Sequence, residues 1–78
     1  MNLNQFIEYF SDLFDETDPN IISATTRFKD LEEWSSLLAL SVIAMIDEEY
    51  DVEFRGDDIR GSNTVEDLYN IVKSRVEW

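Results

Sequence analysis

The stretch Glu33-Trp34-Ser35-Ser36-Leu37, with the apolar run that follows it through Ile46 to Tyr50, decides how this chain folds. A pair of serines stands where a polar loop gives way to strongly hydrophobic sequence. The first amides of a helix lack intrahelical acceptors, and a small hydroxyl residue at that boundary can cap them. Ser35 or Ser36 is therefore placed to open a helix over residues 36–50. The same boundary is electropositive, so a negatively charged group on a serine is tolerated there, where in mid-helix it would disturb the backbone. Capping alone explains most serines at helix starts, and the pair has to be read with the rest of the chain.

Within 36–50, Ala39, Val42, Ile43, Ile46 and Tyr50 share one face at helical spacing, which assigns them to the core. Leu37, Leu40 and Ala44 fall on another face, bordered by Ser41, Asp47 and Glu48, with Leu38 and Met45 between the two. A helix apolar on nearly all sides is either deeply buried or presents an exposed patch. So small a domain argues for the patch. Acids then crowd the helix end at Asp47, Glu48, Glu49, Asp51 and Glu53. They oppose the helix dipole at about 0.3–1 kcal/mol per exposed charge, and a local rule broken without visible compensation is a hint of function.

Toward the N-terminus, Leu3, Phe6, Ile7, Phe10, Leu13 and Phe14 give an amphipathic helix over residues 3–14, with Asn2 or Asn4 as cap. Residues 15–34 form a long connection with a turn at Asp18-Pro19-Asn20, pinned over the core by Ile21, Ile22, Phe28, Leu31 and Trp34. Its acids do not form a calcium loop: no glycine stands six residues in, and Thr26 occupies the place of the closing glutamate. Toward the C-terminus, Gly56 and Gly61 bracket one helical turn near 57–61. Thr64-Val65-Glu66-Asp67 then opens a capped helix over 64–76, with Val65, Leu68, Val72 and Val76 facing inward and Lys73 and Arg75 suited to its end. No alternating strand pattern or internal repeat is present. The expected fold is all-α, a bundle of three main helices and one short one, forming one domain over residues 1–78.

At 78 residues and 44% hydrophobic, without cysteine, the chain must be held by one apolar core and not by disulfides or thiolate-bound metal. The lack of cysteine is compatible with a reducing cytoplasm. No run of about 18 apolar residues suggests a membrane span, and the N-terminus, without a basic flank, does not resemble a signal peptide. Eighteen acids against six bases leave a net charge of −12. Such a surface repels phosphate backbones and anionic lipid, so nucleic acid and membrane are not expected partners. A basic protein surface is the natural complement, with plain solubility the equal alternative. Histidine is absent as well, which removes the usual base at neutral pH and any ordinary nucleophile–base pair. An independent enzyme is not expected.

Taken together, the pattern resembles the acyl carrier protein family over nearly the whole chain. Ser35-Ser36-Leu37 is similar to the family's Asp-Ser-Leu signature at the serine and leucine. Ile46-Asp47-Glu48-Glu49-Tyr50 resembles its acidic helix end and closing aromatic, and Phe28 and Thr64-Val65 also fit. The chain departs from the family in Ser35 for aspartate, in Trp34 where a small residue is common, and in Leu38 where an acid is frequent. The resemblance implies a four-helix bundle whose Ser36 carries 4′-phosphopantetheine, installed from coenzyme A by a separate magnesium-dependent transferase. Acyl groups ride on the arm as thioesters for fatty acid, polyketide or related specialised biosynthesis. The partners would be the phosphopantetheinyl transferase and acyl-loading and synthase enzymes with basic patches, docking on Leu37, Leu40, Ala44, Asp47 and Glu48 of a cytoplasmic monomer. No catalytic residue and no metal ligand is implied. The alternatives are an unmodified carrier-like module that binds protein through the Leu37/Leu40/Ala44 patch, and a small acidic metal-binding protein, which lacks ligand spacing.

Overall fold

The computed structural model describes residues 2–76. Four α-helices, α1 (Leu3–Ser11), α2 (Ser36–Tyr50), α3 (Gly56–Arg60) and α4 (Val65–Arg75), are joined by loops carrying two short 3₁₀ turns, Pro19–Ile21 and Phe28–Asp30. Among the described residues there is no strand. α1 packs against α2 and α4, and α3 packs against the same two helices, which is the all-α bundle the apolar spacing predicts.

Each helix starts where a side chain can satisfy its orphan amides. Asn2, not Asn4, caps α1, accepting from the Gln5 amide at 3.2 Å. Thr64 and Asp67 cap α4 reciprocally, the Thr64 hydroxyl accepting from the Asp67 amide while the Asp67 carboxylate accepts from Thr64 and Asn63. Two further amides of α4 find acceptors outside the helix: Val65 donates to the Thr26 carbonyl and Glu66 to that of Ala24. The long loop is thus part of the cap of α4. α1 stops at Ser11, three residues short of the expected end, because Leu13 and Phe14 take i→i−3 bonds to Phe10 and Ser11. That tighter turn brings Phe14 into the core, where it is buried.

The core is one contiguous cluster. Phe6, Phe10, Phe28, Val42, Ile46, Val65, Leu68 and Val72 are fully enclosed. Ile43, expected there too, is only half-buried and packs on the cluster from its edge; Leu38 and Met45, which straddle the two faces in sequence, take the buried places. Val52 and Phe54, in the irregular segment after α2, are buried as well. That segment turns at Asp51, whose backbone is left-handed (φ 54°, ψ 43°) as its amide bonds the Asp47 carbonyl. Aspartate tolerates this conformation better than most residues, so this acid at the helix end has a structural role. Phe54 is covered by Arg75, whose guanidinium lies 6.0 Å from the ring centroid and makes two bonds, 2.7 and 2.9 Å, to Asp58. Arg75, expected only to suit the end of α4, therefore ties α4 to α3. The hydrogen bonds from Arg75, outweighing the effect of burial, hold the Asp58 carboxyl below its usual range.

One side chain clamps the two ends of the loop between α1 and α2. The Glu33 carboxylate accepts from the backbone amides of Asp15, Glu16 and Thr17 and from the Thr17 hydroxyl, at 2.8–3.0 Å. Partial desolvation pushes its pKa up, but the Thr17 hydroxyl and the three amides outweigh it and hold the carboxyl below its ordinary value of 4.5. Of the apolar residues expected to pin this loop, Ile22 and Phe28 are buried and Leu31 and Trp34 half-buried, while Ile21 is 58% exposed.

Two outcomes follow from this packing. Ile46→Ala is expected to lose about 2–5 kcal/mol of stability, since a fully enclosed side chain is replaced by a cavity; equilibrium denaturation measures it. A carboxyl depressed in the folded state stabilises above its unfolded pKa, and that contribution disappears as pH falls through the folded one. The gap in denaturation midpoint between wild type and Glu33→Gln should therefore be full near neutral pH and close as pH drops below about 4.5. A gap independent of pH would show that the charge on Glu33 is not what orders the loop.

Candidate functional site

The serine pair divides its work. Ser35 is the N-cap of α2, in extended conformation, with its hydroxyl accepting from the Leu38 amide at 3.3 Å. Ser36 is the first helical residue, exposed to solvent, and its hydroxyl has no hydrogen-bond partner among the described residues. The start of α2, like that of α1, lacks an acid in its first turn, whereas α3 has Asp57 and Asp58 there and α4 has Glu66 and Asp67. In so acidic a chain, the positive end of its longest helix is left uncompensated by its own side chains.

A line of rings fixes the approach to this serine. Phe10, on α1, contacts Phe14 and Phe28 at centroid distances of 5.3 and 6.0 Å, and Trp34 meets Phe28 edge-on at 4.9 Å and Phe14 at 6.5 Å. Trp34 is thus anchored to the core by aromatic pairs worth about 0.5–1.5 kcal/mol each beyond their burial, while Glu33 beside it holds the loop. Ser35 and Ser36 leave this anchored segment with their direction set.

Beside Ser36 a groove of about 610 Å³ opens between α2 and α3. Trp34, Ala39, Leu40 and Ile43 form one wall, Gly56 and Ile59 the other, with Ser35 and Ser36 at one edge and Lys29 and Arg60 among the lining. The edge position of Ile43 in the core is explained by this groove. The sequence points to Ser36, and to Leu40 as part of an exposed strip with Ala39 and Ile43 in the core, but not to a groove or to its opposite wall. Ile59 alone had a signal, as the one apolar residue of its short helix; Lys29 and Arg60 are distant in sequence and meet only in the fold.

The residues expected to meet partners are all exposed on α2, and Leu40 among them also lines the groove. Leu37 and Leu40 are 72% and 63% exposed, large values for leucine, and Ala44, Asp47 and Glu48 are exposed too. They recur three or four residues apart and so form a strip along the helix, starting next to Ser36. Among the described residues no cluster of three or more acids stands close enough to hold a metal ion.

No curated protein and no solved structure matches the chain. One family does, and its match runs from the first turn of α1 into the last turns of α4, residues 4–72. That span takes in the whole bundle and the serine pair, so the chain belongs to the family described as the phosphopantetheine attachment site, whose prosthetic group is 4′-phosphopantetheine.

Proposed function

We propose that this chain is an acyl carrier protein domain that bears its arm on Ser36. What supports the choice of Ser36 is that its hydroxyl is exposed and uncommitted at the start of α2, while that of Ser35 is engaged in the cap. In the transfer, Ser36 Oγ would form a bond to the phosphorus of coenzyme A that carries the pantetheine. The bond to adenosine 3′,5′-bisphosphate breaks, and the hydroxyl proton is released.

The surroundings suit a phosphodiester there. Free amides at the first turn and the helix dipole favour an anion, and no acid of that turn competes with it. When bound, the arm supplies a terminal thiol that holds an acyl group as a thioester, for fatty acid, polyketide or related biosynthesis. The chain's own residues present the arm and perform no bond chemistry on the cargo, in keeping with the division of labour between cofactor and protein. The exposed strip Leu37, Leu40 and Ala44, edged by Asp47 and Glu48, is the docking surface in this reading. The acids steer basic partners, a transferase and the acyl-loading and synthase enzymes, and the leucines set the register.

Incubation with coenzyme A and a broad-specificity transferase, followed by intact mass, tests the attachment. Wild type and Ser35→Ala should gain the arm and Ser36→Ala should not. Ser35→Ala should also lose about 0.5–2 kcal/mol of stability with its cap. A mass gain on Ser36→Ala would refute the assignment. No gain on any variant would leave an unmodified protein-binding module, the reading that the exposed leucines would then carry.

Asp47→Lys/Glu48→Lys should slow transfer of the arm by roughly tenfold or more at low salt, through the association rate. The defect should shrink as salt rises, because such steering is screened within about 8 Å at physiological ionic strength. Transfer kinetics equal to wild type at both low and high salt would reduce these acids to a solvated face.

A further inference from the structure

The chain has eighteen acids and six bases, yet no carboxylate lines the groove beside Ser36, while Lys29 and Arg60 both do. An acid-free groove with two bases is not what random placement of these charges would give, and the walls between the bases and Ser36 are apolar.

The bases are held in place. Lys29 Nζ donates to the Arg60 carbonyl at 3.0 Å, bridging the long loop to the end of α3, and lies 5.7 Å from the Phe28 ring centroid. An ammonium has three donors, so this bond leaves two. The Arg60 guanidinium folds back along α3, its Nη1 3.6 Å from where a Cβ on Gly56 would stand. Its ion pair with Asp57 joins two largely exposed side chains, the kind that contributes little and exchanges readily. Gly56 belongs to the groove wall, so the guanidinium stands at the groove's end. A volume of about 610 Å³ lies within the range of small-ligand sites.

We infer that this groove selects a cargo with an apolar body and an anionic end, a thioester-borne acyl group terminating in a carboxylate, with Lys29 and Arg60 as its specificity-determining residues. The inference rests on Ser36 as the point of attachment. The net charge of −12 disfavours any anion at long range, so a preference for one has to come from these two side chains.

Succinyl and butyryl thioesters, equal in carbon count and differing in the terminal carboxylate, make the test. Free succinyl-pantetheine and butyryl-pantetheine are titrated into the unloaded chain, and the same two groups are loaded on the arm. Both series are read by NMR at the Gly56 and Ile59 amides and the Trp34 indole. Succinyl-pantetheine should bind tighter than butyryl-pantetheine by on the order of fivefold, the scale of two partly exposed charge pairs, and on the arm it should give the larger shifts. Lys29→Gln/Arg60→Gln should abolish the preference, Arg60→Lys should keep part of it, and high salt should weaken it.

Equal binding of the two thioesters by wild type, or a preference that survives in the double variant, overturns the proposal. So does a result in which the arm alone shifts these resonances and the carboxylate adds nothing, since the bases would then be reading the arm's own phosphodiester. A chain that gains no mass at Ser36 refutes the attachment site instead, and the free-thioester titration still decides the groove.

Discussion

One carboxylate clamps the two ends of the long loop between α1 and α2. Glu33 gathers three successive amides, those of Asp15, Glu16 and Thr17, together with the Thr17 hydroxyl. The segment it gathers is itself acidic, with Asp15, Glu16 and Asp18 close in sequence. Bringing a further negative charge among them would be unfavourable without the donors. Hydrogen bonds to an ionised acceptor are among the stronger ones, and here they decide the sign. The same loop gives the Ala24 and Thr26 carbonyls to the first amides of α4 and Phe28 to the core. It is therefore a structural member linking α1, α2 and α4. Its last residues are the ones that deliver Trp34 and the serine pair.

What could be read from the sequence follows from how local the governing interactions are. The four helices were legible because capping and apolar spacing act within a few residues. Thr64 with Asp67, and the run from Ser36 to Tyr50, show this directly. The exposed face of α2 was legible for the same reason: Leu37, Leu40 and Ala44 fall on a different face from Val42 and Ile46 at any helical spacing, and they are exposed while those two are enclosed. Where periodicity stops, so does the reading. Val52 and Phe54 sit in a non-helical segment and owe their burial to the turn at Asp51 and the cover of Arg75. The clamp at Glu33 joins residues up to 18 apart through side chain and backbone, which no spacing rule announces. Likewise the groove wall built by Gly56 and Ile59 exists only because α3 packs on α2.

The distribution of charge is uneven in a way that separates two surfaces of α2. Asp47, Glu48 and Glu49 stand exposed toward its C-terminal end, with Asp51 and Glu53 just beyond. Its N-terminal turn carries no acid, and the groove there has Lys29 and Arg60 in its lining. The helix dipole points the same way, positive at Ser36 and negative toward Tyr50. Side chains that usually oppose a dipole and lower its field here reinforce it at both ends. The cost in stability, about 0.3–1 kcal/mol per exposed charge, is accepted by a core that encloses Phe6, Phe10, Phe28, Ile46 and Leu68.

The serine at position 35 fits this polarity. In the family signature that the chain resembles, an aspartate precedes the modified serine; here Ser35 takes that place and still caps α2 through the Leu38 amide. Serine and aspartate are nearly equal as N-caps, so the exchange leaves the backbone of the site as it would be with an acid. What it changes is charge. Ser35 lines the groove, and an aspartate there would set a carboxylate in the lining beside Lys29 and Arg60 and add a negative group next to Ser36. With serine, the cap is made by a neutral hydroxyl and no carboxylate is added to the groove lining, where Arg60 keeps only its exposed pair with Asp57. The departure from the signature is thus neutral toward folding and directional toward ligands: it preserves the geometry of the helix start and raises the local potential that an anion would meet.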